Sequence, residues 1–256
     1  MGINLSEIYS SIQGEGLLVG VRQIFVRLCG CDLRCVWCDT PDSLTKTEYC
    51  EYEDKVSSRQ IKKIKNPIKL NDFITIFTAL KPAFHHSVSF TGGEPLLQSR
   101  ALLEIITQIK NKFSIPVYLE TGGHRPENLL EIIHLLDYVS MDFKLPSSSK
   151  TNPLWDDHEK FLSICIESDK LKNVWVKVVI TDETNLDEII KAINIVQSLN
   201  SKYSKKPIEI IIQPVTEENG VKSLTQEALL NISLILLEHY QYIRVLPQVH
   251  KLVGQK

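Results

Sequence analysis

The sequence predicts an α/β fold in which about six parallel strands form an incomplete, TIM-like β/α barrel. Short apolar runs of strand length alternate along the chain with longer segments whose apolar residues recur every three or four positions. Such alternation is typical of parallel strands joined by right-handed helical crossovers. The repeating units are fewer than the eight of a closed barrel. We expect one domain over residues 1–256, although the length alone would also fit two small domains.

The predicted strands are short and rich in β-branched and aromatic residues. They are Gln23–Leu28, Ser87–Phe90, Pro116–Glu120, Tyr138–Phe143, Val174–Thr181, Ile208–Gln213 and Ile243–Leu246. The predicted helices lie between them, over Leu96–Lys110, Pro126–Leu136, Asp156–Ser168, Thr184–Leu199 and Thr225–Tyr240. Ser223 and Gln226 have the spacing of a capping box for the last helix.

One segment interrupts this pattern. Residues Asp42–Lys69 are rich in Lys, Glu and Ser and poor in apolar residues. We interpret this stretch, at about 42–69, as a charged insertion whose residues form a wet surface.

The charge balance and the lengths of the apolar runs exclude several classes of partner. The chain has 29 basic and 31 acidic residues and a net charge of −2, so we expect no direct nucleic-acid partner. No apolar run approaches the ~20 residues that span a bilayer, so we expect no membrane segment and a cytoplasmic protein.

The most informative motif is a run of three cysteines, Cys31, Cys35 and Cys38, with C-x3-C-x2-C spacing. Structural zinc and ordinary [4Fe–4S] clusters use four protein ligands, so three thiols indicate a cluster with one open iron. S-adenosylmethionine (SAM) can fill that position through its amino and carboxylate groups, and electron transfer into its sulfonium generates a carbon radical. The spacing therefore favours a radical-generating enzyme.

Other interpretations of the cysteines stay open at this point. A zinc site completed by Cys29 or by a distant histidine is the stronger alternative, and a disulfide framework is the weaker one. Cys50 and Cys165 have no partner at ligand spacing and are predicted to be isolated thiols.

The strand before the cysteines places Phe25, Arg27 and Cys29 on one face. A charge within an apolar strand is costly to bury without a partner. We therefore expect Arg27 to meet an anion near the thiols, with a position at a wet strand end as the alternative.

A second motif, Thr91-Gly92-Gly93-Glu94-Pro95, directly follows a predicted strand. Glycines at a strand end let the backbone approach a ligand closely, and Pro95 suits the start of a helix. A third motif, Ile12-Gln-Gly-Glu-Gly16, lacks the glycine spacing of a dinucleotide fingerprint. We interpret it as a tight loop that presents Gln13 and Glu15 to a heterocycle, with an ordinary glycine turn as the alternative.

Together these motifs resemble the 7-carboxy-7-deazaguanine synthase family of radical SAM enzymes. The resemblance runs from near Leu5 to Lys251 and rests on Tyr9-Ser-Ser-Ile-Gln-Gly-Glu-Gly16, Phe25-Val-Arg27, the cysteine run with Asp39-Thr40, Thr91-Gly-Gly-Glu-Pro95 and Val245-Leu-Pro-Gln-Val-His-Lys251. It implies a lyase that converts 6-carboxy-5,6,7,8-tetrahydropterin to 7-carboxy-7-deazaguanine and ammonia, on the route to queuosine and other 7-deazapurines. It further implies a [4Fe–4S] cluster, SAM that is regenerated, Mg2+, a homodimer, and an electron donor such as flavodoxin or ferredoxin.

The resemblance also implies roles for individual residues. The cluster ligands would be Cys31, Cys35 and Cys38, and the Mg2+ ligand would be Thr40. The substrate-binding residues would be Ile12, Gln13, Gly14, Glu15, Arg27, Thr91, Gln248 and His250, with the tail at about 245–256 returning to the site. The SAM-binding residues would be Trp37, Cys38, Asp39, Gly93, Glu94, Asp142, Phe143, Lys144, Glu183, Thr184, Asn185 and Leu186. No side chain is assigned as a catalytic acid or base.

Two alternatives to this function remain. An activase of a glycyl radical enzyme would share the cysteine and Gly-Gly-Glu motifs but would need a docking surface for a protein substrate. A non-enzymatic zinc-binding module would need a fourth ligand. The other histidines, including His124, His134, His158 and His239, lack ligand spacing and are expected on wet surfaces or helix faces.

Overall fold

The computed structural model describes residues 2–203, 206–217 and 220–255. Its strands are β1 (Gly2–Ile3), β2 (Leu5–Ile12), β3 (Arg22–Leu28), β4 (Tyr49–Glu53), β5 (Ile61–Lys65), β6 (Ile68–Lys69), β7 (Ser87–Gly92), β8 (Val117–Thr121), β9 (Tyr138–Asp142), β10 (Asn173–Ile180), β11 (Ile210–Pro214) and β12 (Ile243–Val245). Its helices are α1 (Leu70–Ala79), α2 (Ser99–Lys112), α3 (Pro126–Ile132), α4 (Pro146–Ser149), α5 (Trp155–Glu167), α6 (Leu186–Tyr203), α7 (Gln226–His239) and α8 (Val249–Leu252).

Within the described residues, ten of these strands form one sheet in the order β12-β11-β10-β9-β8-β7-β3-β2-β4-β5. From β3 through β7 and on to β12, each strand pairs in parallel with its neighbour. The sheet is open, because β12 and β5 are its two edges. The predicted incomplete β/α barrel is confirmed, with seven parallel strands where about six were expected.

The helices between the parallel strands follow the predicted apolar spacing, and their apolar faces pack on the sheet. In α2 the buried residues include Leu102, Ile105, Ile106 and Ile109, spaced three and four apart. The predicted capping box of the last helix is wrong. Thr225 is the N-cap, two residues beyond Ser223, and its hydroxyl accepts a hydrogen bond from the Ala228 amide, so α7 begins at Gln226.

The segment predicted as a solvated insertion contains three strands, β4, β5 and β6, of which β6 pairs antiparallel with β1. β4 pairs in parallel with β2, and β5 pairs antiparallel with β4 and forms the edge of the sheet. Cys50 on β4 is fully buried in the main core. The strands escaped prediction because β5, with sequence Ile-Lys-Lys-Ile-Lys, is exposed along most of its length and has no alternating apolar pattern.

The direction of β2 determines where the glycine loop after it lies. β2 runs antiparallel to β3, so its end at Ile12 lies beside Arg22, at the amino-terminal end of the parallel strands. We call the residues that follow, Gln13–Gly20, the floor loop. Its Leu17 and Leu18 pack on a small buried cluster of Tyr118, Trp175 and Ile211 from β8, β10 and β11. The floor loop therefore closes the lower end of the barrel interior.

Among the helices of the described residues, none combines the length and the apolar character needed to cross a membrane.

Candidate active site

A cavity of about 690 Å³ lies inside the sheet, a volume typical of small-molecule sites. Its rim is the loop from Cys29 to Thr40 after β3, which we call the cysteine loop, and its base is the floor loop. Most residues predicted for the site line this cavity: Ile12, Gln13, Gly14, Glu15, Arg27, Cys31, Cys35, Trp37, Cys38, Asp39, Thr40, Thr91, Gly93, Glu94, Asp142, Lys144, Gln248 and His250.

The structure does not bring five of the predicted SAM-binding residues to the cavity wall. Phe143 is buried and packs against the ring of His158, with ring centroids 4.6 Å apart. The residues from Glu183 to Leu186 lie beyond the end of β10, where Glu183 forms an exposed ion pair of 2.6 Å with Lys150. The assignment of residues 183–186 to SAM binding rested on a weak sequence match, which is why it differs from their position in the structure.

The three cysteines of the motif are free thiols at the rim, and each is partly exposed to the cavity. The Leu33 amide donates a hydrogen bond to Cys31 Sγ at 3.4 Å. Burial raises the pKa of the Cys31 thiol to about 11 and also raises the pKa of Cys35. Cys31 and Cys35 are therefore poor free nucleophiles. Three open thiols on one loop fit a cluster with one iron available to a ligand.

The turn after β7 packs tightly beneath the cysteine loop. Gly92 has a φ of +117°, and a Cβ atom on Gly93 would lie 2.1 Å from Gly30 O. The Glu94 amide donates to Gly30 O at 2.7 Å. The Gly-Gly pair is thus required for the close contact between this turn and the rim.

The Glu94 carboxylate links the turns that follow β7 and β8. It is 1% exposed and accepts hydrogen bonds from Leu96 N, Gly122 N and the Thr121 hydroxyl at 2.8 to 3.0 Å. A buried carboxylate with this many donors has a structural function as well as a position at the cavity.

The side chain of Gln13 was predicted to face a ligand, but it is bonded to other residues of the protein. Its side chain is 3% exposed, and its amide nitrogen donates to Gln23 Oε1 at 2.9 Å and to Glu120 Oε1 at 2.5 Å. Its amide oxygen accepts from the Glu15 amide at 3.0 Å. Because these contacts occupy the side chain, the backbone of the floor loop is the part of this residue available to a ligand.

Glu120 at the end of β8 is a site residue that the sequence did not reveal. It accepts from Gln13 and also from the Thr91 hydroxyl, at 2.8 Å. Burial raises its pKa, although Lys177 opposes the shift. The sequence did offer one signal for Glu120, since it is an acidic residue near the carboxyl end of a predicted parallel strand.

Arg27 meets the anion that its strand position predicted. Its Nε lies 3.0 Å from Glu7 Oε2, and its Nη2 donates to the Tyr9 hydroxyl at 2.8 Å. Burial alone lowers the pKa of Arg27, but Tyr9 and Glu7 outweigh it and raise that pKa. Thr91 is the neighbour of Arg27 on the paired strand.

Lys177, in the middle of β10, is the second site residue that was missed. Its ammonium contacts Glu15 Oε2 and lies 3.3 Å from Asp142 Oδ1. Burial alone raises the pKa of Glu15, but the charge and hydrogen bonds of Lys177 and a hydrogen bond from Gln248 outweigh it and lower that pKa. The signal in the sequence was a lysine interrupting a run of β-branched residues.

The chain after β12 returns to the cavity. Gln248 Nε2 lies 2.8 Å from both Glu15 Oε1 and Asp39 Oδ2, and the Val249 amide donates to Gly14 O at 2.9 Å. One ligand atom each of Glu15, Asp39 and His250 lies within 4.8 Å of the other two. A cation there would compete with Lys177 and Gln248 for the Glu15 oxygens.

His124 is neither on a wet surface nor on a helix face, so that expectation is wrong. It is 9% exposed, and its Nε2 lies 3.0 Å from Asp32 Oδ1 in the cysteine loop. Arg125 Nη2 contacts the same carboxylate at 2.7 Å. The turn after β8 therefore anchors the rim.

The fold and the three-thiol rim define the class of protein. The family model described as the radical SAM superfamily matches residues 26–218, so the chain is a radical SAM enzyme, a class that uses a [4Fe–4S] cluster and SAM. A crystal structure of QueE from Escherichia coli superposes with a TM-score of 0.58 at 19% identity, covering 97% of this chain and 94% of that one. This similarity supports the fold.

Full-length relatives identify the particular family. A 7-carboxy-7-deazaguanine synthase from Geobacter sulfurreducens is 35% identical, with 99% of this chain and 98% of the relative covered. One from Archaeoglobus fulgidus is 32% identical, with 99% of both chains covered. The chain belongs to the 7-carboxy-7-deazaguanine synthase family.

Proposed function

We propose that this protein converts 6-carboxy-5,6,7,8-tetrahydropterin to 7-carboxy-7-deazaguanine and ammonia, in the biosynthesis of queuosine and other 7-deazapurines. The observation that carries the proposal is a single cavity with three free thiols at its rim and a fixed polar floor. A cavity of about 690 Å³ has the volume of a small-molecule site and suits a pterin, which favours this function over the activase alternative. When bound, the cluster and SAM supply the one-electron cleavage that begins the reaction.

The proposed ligand-binding residues divide into two groups, those for the cluster and SAM and those for the substrate. Cys31, Cys35 and Cys38 hold the cluster, and the SAM-binding residues at the cavity are Trp37, Asp39, Gly93, Glu94, Asp142 and Lys144. The substrate-binding residues are the backbone of Ile12, Gln13 and Gly14 with Glu15, Arg27, Thr91, Gln248 and His250. This assignment is supported by their common position on the cavity wall.

Arg27 binds the substrate carboxylate in this proposal. Because Glu7 and Tyr9 already hold its guanidinium, the substrate must share Arg27 with Glu7 or replace it. The planar, permanently charged guanidinium can donate hydrogen bonds to two anionic partners along different edges. Glu7 and Tyr9 therefore hold the Arg27 guanidinium in place before substrate arrives.

Thr40 holds Mg2+. Thr40 lines the cavity, and its hydroxyl has no hydrogen-bond partner among the described residues, whereas its carbonyl accepts from the Ser43 hydroxyl. Mg2+ takes few protein ligands and completes its shell with water and substrate oxygens, which suits one hydroxyl beside a bound carboxylate.

The protein is a single domain that acts in the cytoplasm as a homodimer and receives electrons from flavodoxin or ferredoxin. Free thiols at all six cysteines suit a reducing compartment. Helix α7 exposes Leu230, Leu234 and Leu237 on one stripe, with Leu230 70% exposed, and this stripe suits contact with a second copy. Light scattering will test the dimer.

The function is tested by anaerobic reconstitution with iron and sulfide, followed by reductant, SAM, Mg2+ and the pterin, with product detected by mass and absorbance. We expect deazapurine in the complete reaction and less product when Mg2+ is omitted. Thr40→Ala should require more Mg2+ for half-maximal rate. A brown protein that cleaves SAM without altering the pterin would reject the substrate, and zinc binding without a cluster would reject the enzyme class.

A further inference from the structure

The contacts of Lys177 belong to a closed ring that joins the floor of the cavity to its rim. Asp142 Oδ2 lies 2.6 Å from Lys144 Nζ, and that ammonium lies 4.4 Å from the centre of the Trp37 ring. Trp37 is two residues before Asp39, which Gln248 joins to Glu15, and Glu15 contacts Lys177. We call these seven residues the charge ring: Glu15, Trp37, Asp39, Asp142, Lys144, Lys177 and Gln248.

Lys177 is the member of the charge ring whose adjacent residues in the strand carry no charge. Its side chain is 12% exposed, and both adjacent positions on β10 are apolar. Removing an ammonium from water costs several kcal/mol unless carboxylates offset the loss, and two do so here. Burial alone lowers the pKa of Lys177, but Asp142 and Glu15 outweigh it and raise that pKa well above its ordinary value.

The two carboxylates belong to different ligand regions. Glu15 is part of the floor loop, which is proposed to hold the pterin, and Asp142 ends β9 in the segment proposed to hold SAM. Lys177 contacts one carboxylate from each region. The two regions are 127 residues apart in the chain, counted from Glu15 to Asp142.

We propose that Lys177 is a positioning residue that couples the SAM region to the substrate region by holding Glu15 and Asp142 on one ammonium. The inference rests on the proposed function, since it concerns the two ligands of that reaction. Lys177 acts through its partners, and a displacement of about 1 Å between reacting groups can cost about 100-fold in rate.

The first test compares wild type, Lys177→Met and Lys177→Arg in the reconstituted reaction, with 5′-deoxyadenosine and deazapurine measured in the same samples. In Lys177→Met we expect about 100-fold less product, while SAM cleavage continues. The ratio of 5′-deoxyadenosine to product should therefore rise by about tenfold or more. Lys177→Arg keeps the charge and should restore much of the coupling.

The matched control is Lys110→Met, which removes a lysine from an ion pair of 2.7 Å with Asp137 away from the cavity. It should leave the ratio unchanged. If Lys177 is only structural, cluster content, SAM cleavage and product will fall together and the ratio will stay at its wild-type value, which overturns the proposal. Should Lys177→Met not fold, Lys177→Gln, whose shorter neutral amide cannot hold both carboxylates, must show the same rise.

A second measurement does not depend on the substrate. In hydrogen exchange of the unliganded proteins, Lys177→Met should reduce the protection of the floor loop and of the segment around Asp142 together. Loss of protection in only one region, or in neither, overturns the coupling. If wild type makes no deazapurine, the proposed function fails, whereas the exchange result still decides whether Lys177 joins the two regions.

Discussion

The polar groups at the rim and at the floor of the cavity differ in whether partners within the protein already hold them. At the rim, Cys31, Cys35 and Cys38 are partly exposed free thiols, and the Thr40 hydroxyl has no partner among the described residues. At the floor, the Gln13 amide makes its contacts with Gln23, Glu120 and Glu15 within the protein. The rim is therefore built to receive ligands, and the floor is built before any ligand arrives.

The difference shows how the two surfaces contribute to binding. Groups that are held by protein contacts cost no reorganisation when a ligand binds, so the floor supplies a fixed shape. The turns after β7 and β8 hold the backbone of the rim, while its three thiols are free and ionise when a metal arrives. Substitutions at the rim should abolish loading of the site, whereas substitutions around the fixed polar contacts should change stability.

The largest effect is expected at the rim, with Cys35→Ala. With only two thiols remaining, we expect little iron–sulfur absorbance after anaerobic reconstitution and no product above background. Iron and sulfide content per chain and the product assay are the measurements.

Cys165→Ala is the control for that variant. Cys165 is 2% exposed on α5, within the main core, and its thiol is remote from the cavity wall. It should bind iron and form product as wild type does. If Cys165→Ala also lost the cluster, or Cys35→Ala kept it, the distinction between the rim thiols and the others would be wrong.

The next effect is expected at Glu94, where the rim rests on fixed contacts. Glu94→Gln replaces one carboxylate oxygen with a donor that faces other donors, Leu96 N or Gly122 N. We expect a loss of about 2–3 kcal/mol in the free energy of unfolding. Chemical denaturation under reducing conditions will measure it.

Glu183→Gln makes the same chemical change as Glu94→Gln at an exposed position. The Glu183 carboxylate is 65% exposed and pairs with Lys150 at the surface. We expect the same denaturation midpoint as wild type, because exposed ion pairs contribute little. Equal losses in the two variants would show that the buried contacts of Glu94 do not stabilise the turn.

A smaller, pH-dependent effect is expected at His158, beneath the turn after β8. Its Nε2 donates to Gly122 O at 3.1 Å, and burial lowers its pKa to about 3 despite that hydrogen bond. The unfolded chain, with an ordinary pKa of about 6.5, binds the proton first as pH falls. The free energy of unfolding should therefore decrease as pH falls below 6.5, by up to about 1.4 kcal/mol per pH unit.

His158→Gln keeps a donor for Gly122 O and removes the titration. Between pH 7 and pH 5, its free energy of unfolding should depend less on pH than that of wild type. Denaturation curves at several pH values will compare the two slopes. Parallel curves would mean that the pKa of His158 is the same in the folded and unfolded chains, so that burial does not lower it.

The sequence predicted the parallel core and most of the rim because both have local signatures. The β/α alternation has a fixed period, and Cys31, Cys35 and Cys38 are close in the chain. Arg27 was predicted to meet an anion for the same kind of reason, since its strand places a charge among apolar residues. Its partners, Glu7 and Tyr9, could not be named without the pairing of β2 with β3.

The floor was harder to predict because its contacts join distant residues. Glu120 and Lys177 are single charged residues in apolar strands, and neither belongs to a spaced motif. The inward direction of the floor loop depends on β2 running antiparallel to β3, which no local pattern specifies. The side chain of Gln13 was therefore predicted to face a ligand, whereas it faces Gln23 and Glu120.

The return of the tail to the floor has a consequence for how the protein is made. Gln248 contacts Asp39 across 209 residues of chain, so the ribosome releases the cysteine loop long before the residue that bridges it to Glu15. Domains begin to fold while synthesis continues at about 5–20 residues per second. At that rate the 209 residues from Asp39 to Gln248 take about 10 to 40 seconds to add, and over that time a nascent chain can display all three cluster thiols while the cavity behind them is still open.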